Sequence, residues 1–192
     1  MQAKVLSVNE ILNKIQSYKE EYFSNYLAMY SSWYGGIVKD PSLMLVPIDD
    51  HMVHRGDGIF EAIKMTNRGI YLLDEHLDRL FYSGRQIGLT PPVSEKDLHR
   101  IIIQTAEASG AEEGIIRVFV GRGVGSFSPN PYDPKHSELY IVVTKLTAPS
   151  AKKYKDGVTL CRSKVPMKPG FFPQVKSLNY LPNVLMIFIR VC

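Results

Sequence analysis

The sequence has 192 residues and a net charge of +4, a length that suits one substantial core or two small lobes. Hydrophobic residues make up 45% and charged residues 22%, which is typical of a folded chain and argues against disorder. The absence of a long basic run disfavours nucleic-acid binding, and two cysteines are too few for a disulfide scaffold. With a polar N-terminus and only short apolar runs, we expect a soluble cytoplasmic protein without a membrane partner.

An N-terminal helix and three strands are predicted first along the chain. Ser7 and Glu10 have the spacing of a capping box, and apolar residues follow at helical intervals. This helical pattern stops near Tyr34-Gly35-Gly36. Short apolar runs then predict strands, with Asn67-Arg68-Gly69 as a tight turn between the second and the third. The three runs are LMLVPIDD (43–50), GIFEAIKM (58–65) and IYLL (70–73).

Three helices and three more strands are predicted in the rest of the chain. Asp74 stands where a helix N-cap belongs, and Ser94 with Asp97 forms a second capping box for a helix that Gly110 is placed to end. The composition changes near 147–156, which we interpret as a lobe boundary. The predicted strands are IIRVFVGRG (115–123), ELYIVVTKL (138–146) and VTLCRSKV (158–165), and SLNYLPNVLMIFI (177–189) opens the last helix after a proline-rich loop.

A polar turn precedes the second predicted strand, in the stretch DDHMVHRGDGIFEAI (49–63). Its glycines, in Arg55-Gly56-Asp57-Gly58, indicate close backbone approach or positive φ. His51 and His54 suggest a metal, but no third ligand follows at a recognisable spacing. We therefore predict no metal site here, and a solvated hairpin is the alternative interpretation.

Two further stretches offer a cation and an amine. In DEHLDRLFYSGRQIGL, Arg79 shares a helical face with His76, where it either extends into solvent or offers a planar fork to a phosphate. In QVKSLNYLPNVL, Lys176 is either an ordinary surface lysine or an amine that forms a Schiff base with an aldehyde. Neither stretch by itself decides between its two interpretations.

The order and the residues of three motifs resemble those of a known family. HRGDGIFEAI, LLDEHLDRLFYSGRQIGL and VKSLNYLPNVL are similar to successive motifs of class IV aminotransferases, which include branched-chain and D-amino acid aminotransferases and aminodeoxychorismate lyase. The resemblance implies the two-lobed α+β fold of the fold type IV pyridoxal-phosphate enzymes, with the N-terminal lobe complete and the C-terminal lobe only begun. The implied segments are an N-terminal helical extension (1–30), the N-terminal α+β lobe (31–148) and the start of the C-terminal cofactor-binding lobe (149–192).

The resemblance also implies pyridoxal 5'-phosphate as the cofactor and assigns roles to residues. Lys176 matches the lysine that joins the cofactor as a Schiff base and later moves the α-proton of the substrate. Arg79 matches the arginine that binds the cofactor phosphate. Tyr180 resembles a tyrosine that bonds the cofactor's phenolic oxygen, although its offset from the lysine is one residue shorter than in branched-chain members. The positions implied to border or bind the substrate are Arg55, Arg117 and Arg122.

The function implied by this resemblance is transfer of an amino group between an amino acid, branched-chain or of D configuration, and a 2-oxo acid. One alternative is an aminodeoxychorismate lyase, which releases pyruvate. The other is a shortened, non-catalytic remnant, because the family continues beyond the point where this sequence ends in MIFIRVC (186–192). The resemblance further implies a homodimer and a small-molecule amino acid and 2-oxo acid as partners.

Overall fold

Six strands form one antiparallel sheet in the computed structural model, which describes residues 2–188. They are β1 (Tyr26–Ser31), β2 (Gly36–Val38), β3 (Gly58–Thr66), β4 (Gly69–Ile70), β5 (Gly114–Gly121) and β6 (Glu138–Thr144). Their order across the sheet is β2-β1-β6-β5-β3-β4, and every neighbouring pair is antiparallel. Strand β3 pairs with β5 along eight residues, from Gly58 opposite Gly121 to Met65 opposite Gly114.

Six α-helices accompany the sheet within residues 2–188, and the two long ones pack on one of its faces. They are α1 (Val8–Ser17), α2 (His51–His54), α3 (Leu73–Gln86), α4 (Glu95–Ser109), α5 (Ala151–Asp156) and α6 (Leu181–Phe188). The inward face of β3 and β5 is marked by fully buried side chains at every second position, including Ile59, Ile63, Ile116 and Val118. These residues join those of α3 and α4, such as Leu80, in one hydrophobic core. The fold is α+β, as predicted.

Several local signals were predicted correctly. Ser7 and Glu10 form both bonds of a capping box at the start of α1. Ser94 caps α4 by accepting from the Asp97 N–H, and Gly110 ends this helix with a left-handed φ of 72°. The Asn67-Arg68-Gly69 turn is present, and Asn67 and Arg68 both adopt positive φ. Each of these signals involves residues within one turn of each other, so the sequence alone specifies it.

Three predictions between residues 43 and 74 differ from the structure, one of them only in the length of a strand. Residues 43–50 form no strand: a 3-10 turn capped by Asp40 occupies Pro41–Leu43, and Pro47 lacks the N–H that a sheet ladder needs. The strand predicted at 70–73 is shorter, because Leu72 adopts a left-handed φ of 50° and α3 begins at the next residue. Leu72 rather than Asp74 is therefore the N-cap of α3.

Other differences concern the ends of the chain. Strands β1 and β2 were not predicted, since the aromatic residues before β1 continue the apparent helical pattern. Residues 158–165 form no strand, and Leu160 is 86% exposed instead of paired in a sheet. The last helix is observed as α6, while residues 189–192 lie outside the described part. The boundary between the two lobes stays a prediction. Within residues 2–188 no helix is both long and apolar enough to cross a bilayer.

Candidate active site

Lys176 lies on a short segment that runs antiparallel to the outer edge of β3. The N–H of Phe60 donates to the Lys176 carbonyl at 3.0 Å, and the N–H of Leu178 donates to the Gly58 carbonyl at 2.9 Å. A β-bridge joins Ile59 and the residue that follows Lys176. This pairing sets Lys176 beside Phe60, and Lys176 Nζ lies 4.2 Å from the centroid of the Phe60 ring. The backbone of Lys176 is thus fixed by the sheet.

Helix α3 holds the same segment from the other side. The Lys176 N–H donates to Ser83 Oγ at 3.2 Å, and Ser83 is fully buried. Val175, directly before the lysine, is 5% exposed and belongs to the hydrophobic core. The partly buried Lys176 therefore has an anchored residue before it and a paired backbone on both sides. This environment fits a positioned amine better than an ordinary surface lysine.

Arg79 of α3 forms a two-point ion pair with Glu61 of β3. Arg79 Nε donates to Glu61 Oε1 at 2.7 Å, and Arg79 Nη2 donates to Glu61 Oε2 at 2.6 Å. His76, one turn earlier on α3, places its Nδ1 2.7 Å from Glu61 Oε2. The Glu61 side chain is 1% exposed and that of Arg79 is 52% exposed. A buried carboxylate is therefore neutralised by a guanidinium that still reaches solvent.

The electrostatics of this cluster follow from its hydrogen bonds. Burial raises the pKa of Glu61, but the hydrogen bonds and charges of Arg79 and His76 outweigh burial and hold that pKa below its usual value. The same bonds from Glu61 raise the pKa of Arg79. Glu61 therefore stays ionised in the folded protein, and Arg79 stays cationic.

Lys176, Arg79 and Tyr180 line one cleft of about 420 Å³ between α3, the 166–180 loop and α6. The Tyr180 ring packs edge-on to Phe60 with centroids 5.2 Å apart, and Lys168 Nζ lies 5.4 Å from the Tyr180 centroid. A larger cavity of about 830 Å³, between the start of α3 and the end of α4, contains none of the three predicted cofactor residues. An amine, a guanidinium and a phenol therefore line the same cleft.

The three arginines predicted at the substrate lie in different surroundings. Arg55 is exposed and donates to the backbone carbonyls of His54 and Phe127. Arg117 lies on the sheet face opposite the helices, where its Nη1 donates to Thr144 Oγ1 at 2.7 Å. It lines a groove of about 500 Å³. Arg55 and Arg117 thus keep N–H groups that a carboxylate could use.

Arg122 is already engaged by the protein. Its Nε and Nη2 each donate to a carboxylate oxygen of Asp57 at 2.9 Å. Its Nη2 and Nη1 also donate to the carbonyls of Ile87 and Gly88, at 3.0 and 2.7 Å. Four of its five N–H groups are used in this way. This arrangement ties the turn before β3 to the end of α3, so the geometry favours a positioning role for Arg122.

The two histidines of the polar turn lie side by side, and His51 is the more deeply buried of the two. His51 is 1% exposed, with Nδ1 3.6 Å from Asp57 Oδ2, and its ring centroid lies 5.2 Å from that of His54. In residues 2–188 no group of three or more His, Cys, Asp or Glu side chains is placed to hold a metal ion.

Glu61 is a site residue that the sequence motifs alone did not reveal. It lies in the motif HRGDGIFEAI, but no role was given to it. A usable signal was present, because Glu61 occupies an inward position of β3 between the buried Ile59 and Ile63. A charged residue on the buried face of a strand indicates that a neighbouring element supplies an ionic partner.

The family Amino-transferase class IV matches residues 58–187, which include both β3 and the Lys176 segment. The chain belongs to this family. The match covers more than half of the chain and contains Glu61, Arg79, Lys176 and Tyr180. The cofactor of the family is pyridoxal phosphate, and its members are enzymes.

Two curated relatives show how this family member compares with others. The chain is 41% identical over 160 residues to a D-amino-acid transaminase, chloroplastic, from Arabidopsis thaliana, covering 83% of this chain and 42% of the relative. It is 28% identical over 163 residues to a bifunctional aminodeoxychorismate lyase / D-amino acid transaminase from Mycobacterium tuberculosis, covering 79% of this chain and 53% of the relative. The chain spans about half the length of these relatives.

A solved structure shares the fold. A hypothetical aminotransferase from Mycobacterium tuberculosis, in a PLP-bound form, superposes with a TM-score of 0.64 at 24% identity, covering 85% of this chain and 57% of that one. The residues of this class IV chain fit the cofactor chemically. Lys176 supplies an amine, and in residues 2–188 Arg79 Nη1 has no acceptor, so the fork retains N–H groups for a phosphate.

Proposed function

We propose that this chain is the N-terminal lobe and cofactor-anchoring segment of a transaminase that moves an amino group between an amino acid and a 2-oxo acid. The observation that carries the proposal is the cleft shared by Lys176, Arg79 and Tyr180. Bound pyridoxal phosphate supplies an aldehyde for the amino group and an electron sink for the substrate carbanion. The protein must add a reactive amine, a phosphate grip and a hold on the substrate, and the cleft has candidates for the first two.

Three residues of the cleft have proposed roles that their surroundings support. Lys176 Nζ anchors the cofactor and moves the proton at the substrate α-carbon, because its backbone is fixed by β3 and Ser83. Arg79 binds the phosphate with the part of its fork that Glu61 leaves free. Tyr180, which packs against Phe60, is proposed to hydrogen-bond the phenolic oxygen of the cofactor.

The substrate carboxylate is proposed to bind one of the arginines that lie outside the cleft. Arg117 is the best suited of the three candidate arginines, since it lines an open groove and only one of its hydrogen bonds is used by Thr144. Arg55 is a second candidate on the turn before β3. For Arg122 the four hydrogen bonds favour a structural contribution to the site over direct contact with substrate.

The substrate proposed first is a D-amino acid, supported by the 41% identity with the Arabidopsis D-amino-acid transaminase. Lyase chemistry is the second candidate, supported by the bifunctional relative from Mycobacterium tuberculosis. A branched-chain amino acid was also predicted, as was a homodimer, and both stay predictions. So does the cytoplasm as location, because the Arabidopsis relative is described as chloroplastic.

Single-turnover spectroscopy tests the function. The protein is mixed with pyridoxal phosphate and then with D-alanine, L-alanine, L-leucine or aminodeoxychorismate. A D-amino acid transaminase converts the aldehyde form of the cofactor into its amine form with D-alanine and forms one pyruvate per site. Pyruvate from aminodeoxychorismate without the amine form would instead identify a lyase. Cofactor binding without any conversion would contradict the proposed activity and support a non-catalytic remnant.

A further inference from the structure

A carboxylate occupies a core position of β3 where packing alone does not require one. Ile59 and Ile63, its neighbours on the same face, are fully buried and apolar, and the Glu61 side chain is 1% exposed. A buried carboxylate is unfavourable unless it is paired, and an apolar side chain usually fills such a position at lower free-energy cost. The presence of Glu61 therefore indicates a role that depends on the side chains to which it is bonded.

Glu61 contacts one particular edge of the Arg79 guanidinium. Its two oxygens accept from Nε and Nη2, at 2.7 and 2.6 Å. Nη2 also lies 3.3 Å from His76 Nδ1, so the hydrogens left over are the two on Nη1. A guanidinium is planar, so two contacts along one edge fix the plane and direction of the whole group. Arg79 lines the cleft, where its remaining N–H groups are available to an anion.

His76 fixes the carboxylate in turn. Its Nδ1 lies 2.7 Å from Glu61 Oε2, and its side chain is 18% exposed. His76 and Arg79 are three positions apart on α3, so both reach the same carboxylate from one helical face. The carboxylate therefore accepts from two side chains of α3, which holds it in one orientation.

We propose that Glu61 is a positioning residue for the phosphate grip of Arg79, with His76 as its support. The proposal rests on the proposed function, in which Arg79 binds the cofactor phosphate. Glu61 has two opposing effects on an anion at Arg79. Its negative charge weakens the attraction, whereas its hydrogen bonds orient a long side chain that would otherwise lose considerable rotamer entropy on binding. We expect the effect of orientation to exceed the effect of charge, because the negative charge of Glu61 is buried and already paired with Arg79 and His76.

Labelling with pyridoxal phosphate and with pyridoxal tests this inference, because pyridoxal lacks the phosphate and its closure to a hemiacetal slows the labelling of every lysine in the sample alike. The 192-residue chain is incubated with each aldehyde and cyanoborohydride, which reduces the imine of a lysine to a stable secondary amine. Peptide mass spectrometry gives the initial labelling rate of Lys176 relative to the exposed Lys155 in the same sample. The ratio of these relative rates for the two aldehydes measures the contribution of the phosphate. A rate measurement of this kind does not require tight binding.

We expect wild type to favour the phosphorylated aldehyde at Lys176, and Glu61→Gln to reduce this preference by about tenfold or more. The conservative Glu61→Asp should recover part of the preference, and His76→Gln should lose less than Glu61→Gln. A general loss of structure would also remove the preference, so the comparison is made only between variants that unfold cooperatively at a temperature close to that of wild type. Thermal unfolding of each variant provides this check.

Two outcomes overturn one proposal or the other. An unchanged or larger phosphate preference in Glu61→Gln, together with its loss in Arg79→Ala, would show that Glu61 only neutralises Arg79, and the positioning role would be wrong. Absence of any phosphate preference at Lys176 in wild type would instead contradict the proposed cofactor site. The two failures are thus distinguishable.

Discussion

The guanidinium of Arg79 and the carboxylate of Glu61 form two parallel hydrogen bonds, with Nε 2.7 Å from Oε1 and Nη2 2.6 Å from Oε2. One partner is buried and the other is half exposed at the edge of a cleft. The pair therefore connects the stability of the core to the surface at which a phosphate would bind. Changes at the two positions should affect stability and ligand affinity in separable ways.

Arg79→Ala should weaken pyridoxal phosphate affinity by about 2–4 kcal/mol, as expected when a charge-assisted contact of a forked group is lost. It should also lower the free energy of unfolding by about 1–3 kcal/mol, because Glu61 loses its main partner. Absorbance titration and urea unfolding measure the two effects. The double variant Glu61→Gln/Arg79→Ala should recover part of the stability and none of the affinity. Equal affinity in wild type and Arg79→Ala would remove Arg79 from the site.

Acid should destabilise wild type more than Glu61→Gln. The pKa of Glu61 is held below its usual value despite burial, because Arg79 and His76 bond the charged form. A carboxyl with a lowered folded-state pKa adds stability above its unfolded pKa of about 4.3 and loses this contribution as pH falls through the folded value. Urea unfolding between about pH 7 and pH 3 should therefore show the wild-type advantage shrinking below about pH 4.3. A difference that is constant with pH would contradict this account of Glu61.

Much of the helical structure could be predicted because its signals are local. The capping residues Ser7 and Ser94 and the left-handed Gly110 each act within one turn of the chain. The phosphate-binding candidate Arg79 was placed correctly on a helix next to His76 for the same reason, since three-residue spacing puts both on one face. Local spacing therefore gave the components of the site on α3.

The rest depended on contacts between residues far apart in the sequence. Strand β1 lies between β2 and β6, and no spacing inside Tyr26–Ser31 reveals the partner that stabilises it. The ion pair of Glu61 with Arg79 joins a strand to a helix that follows it, and Arg122 is satisfied by Asp57 and two carbonyls from other segments. Such long-range pairing determines whether an arginine has N–H groups available for a ligand, and the spacing of residues in the sequence does not reveal it.

Arg122→Ala should destabilise the fold by about 1–3 kcal/mol, because it removes a two-point bond to Asp57 and two hydrogen bonds to the end of α3. Arg55→Ala is the matched control: Arg55 is exposed, and its loss should change stability by no more than about 0.5 kcal/mol. Urea unfolding of both variants compares them directly. Equal stability of Arg122→Ala and wild type, with weaker substrate binding, would favour the predicted substrate role for Arg122.

Gly58→Ala should move the Lys176 segment away from β3. A Cβ at Gly58 would lie 2.6 Å from Leu178 Cδ1 and 2.7 Å from the Val120 carbonyl, so the backbone must shift. We expect a loss of about 1–3 kcal/mol in stability and slower labelling of Lys176 by pyridoxal phosphate. Gly36→Ala is the matched control, since nothing lies within 4 Å of its added Cβ. Wild-type labelling in Gly58→Ala would mean that the pairing with β3 does not position Lys176.

Borohydride reduction followed by peptide mapping tests the central claim, that Lys176 is the residue to which pyridoxal phosphate is joined. The backbone of Lys176 is held by β3 and Ser83, and its amine lies beside the Phe60 ring. This amine should carry the reduced cofactor on the peptide QVKSLNY. Lys176→Arg keeps the positive charge but cannot form the imine, so it should lose both the label and the visible absorbance while the thermal unfolding curve is unchanged. Cofactor found on a different lysine of the wild-type protein, or an unmodified Lys176 at saturating pyridoxal phosphate, would contradict the account.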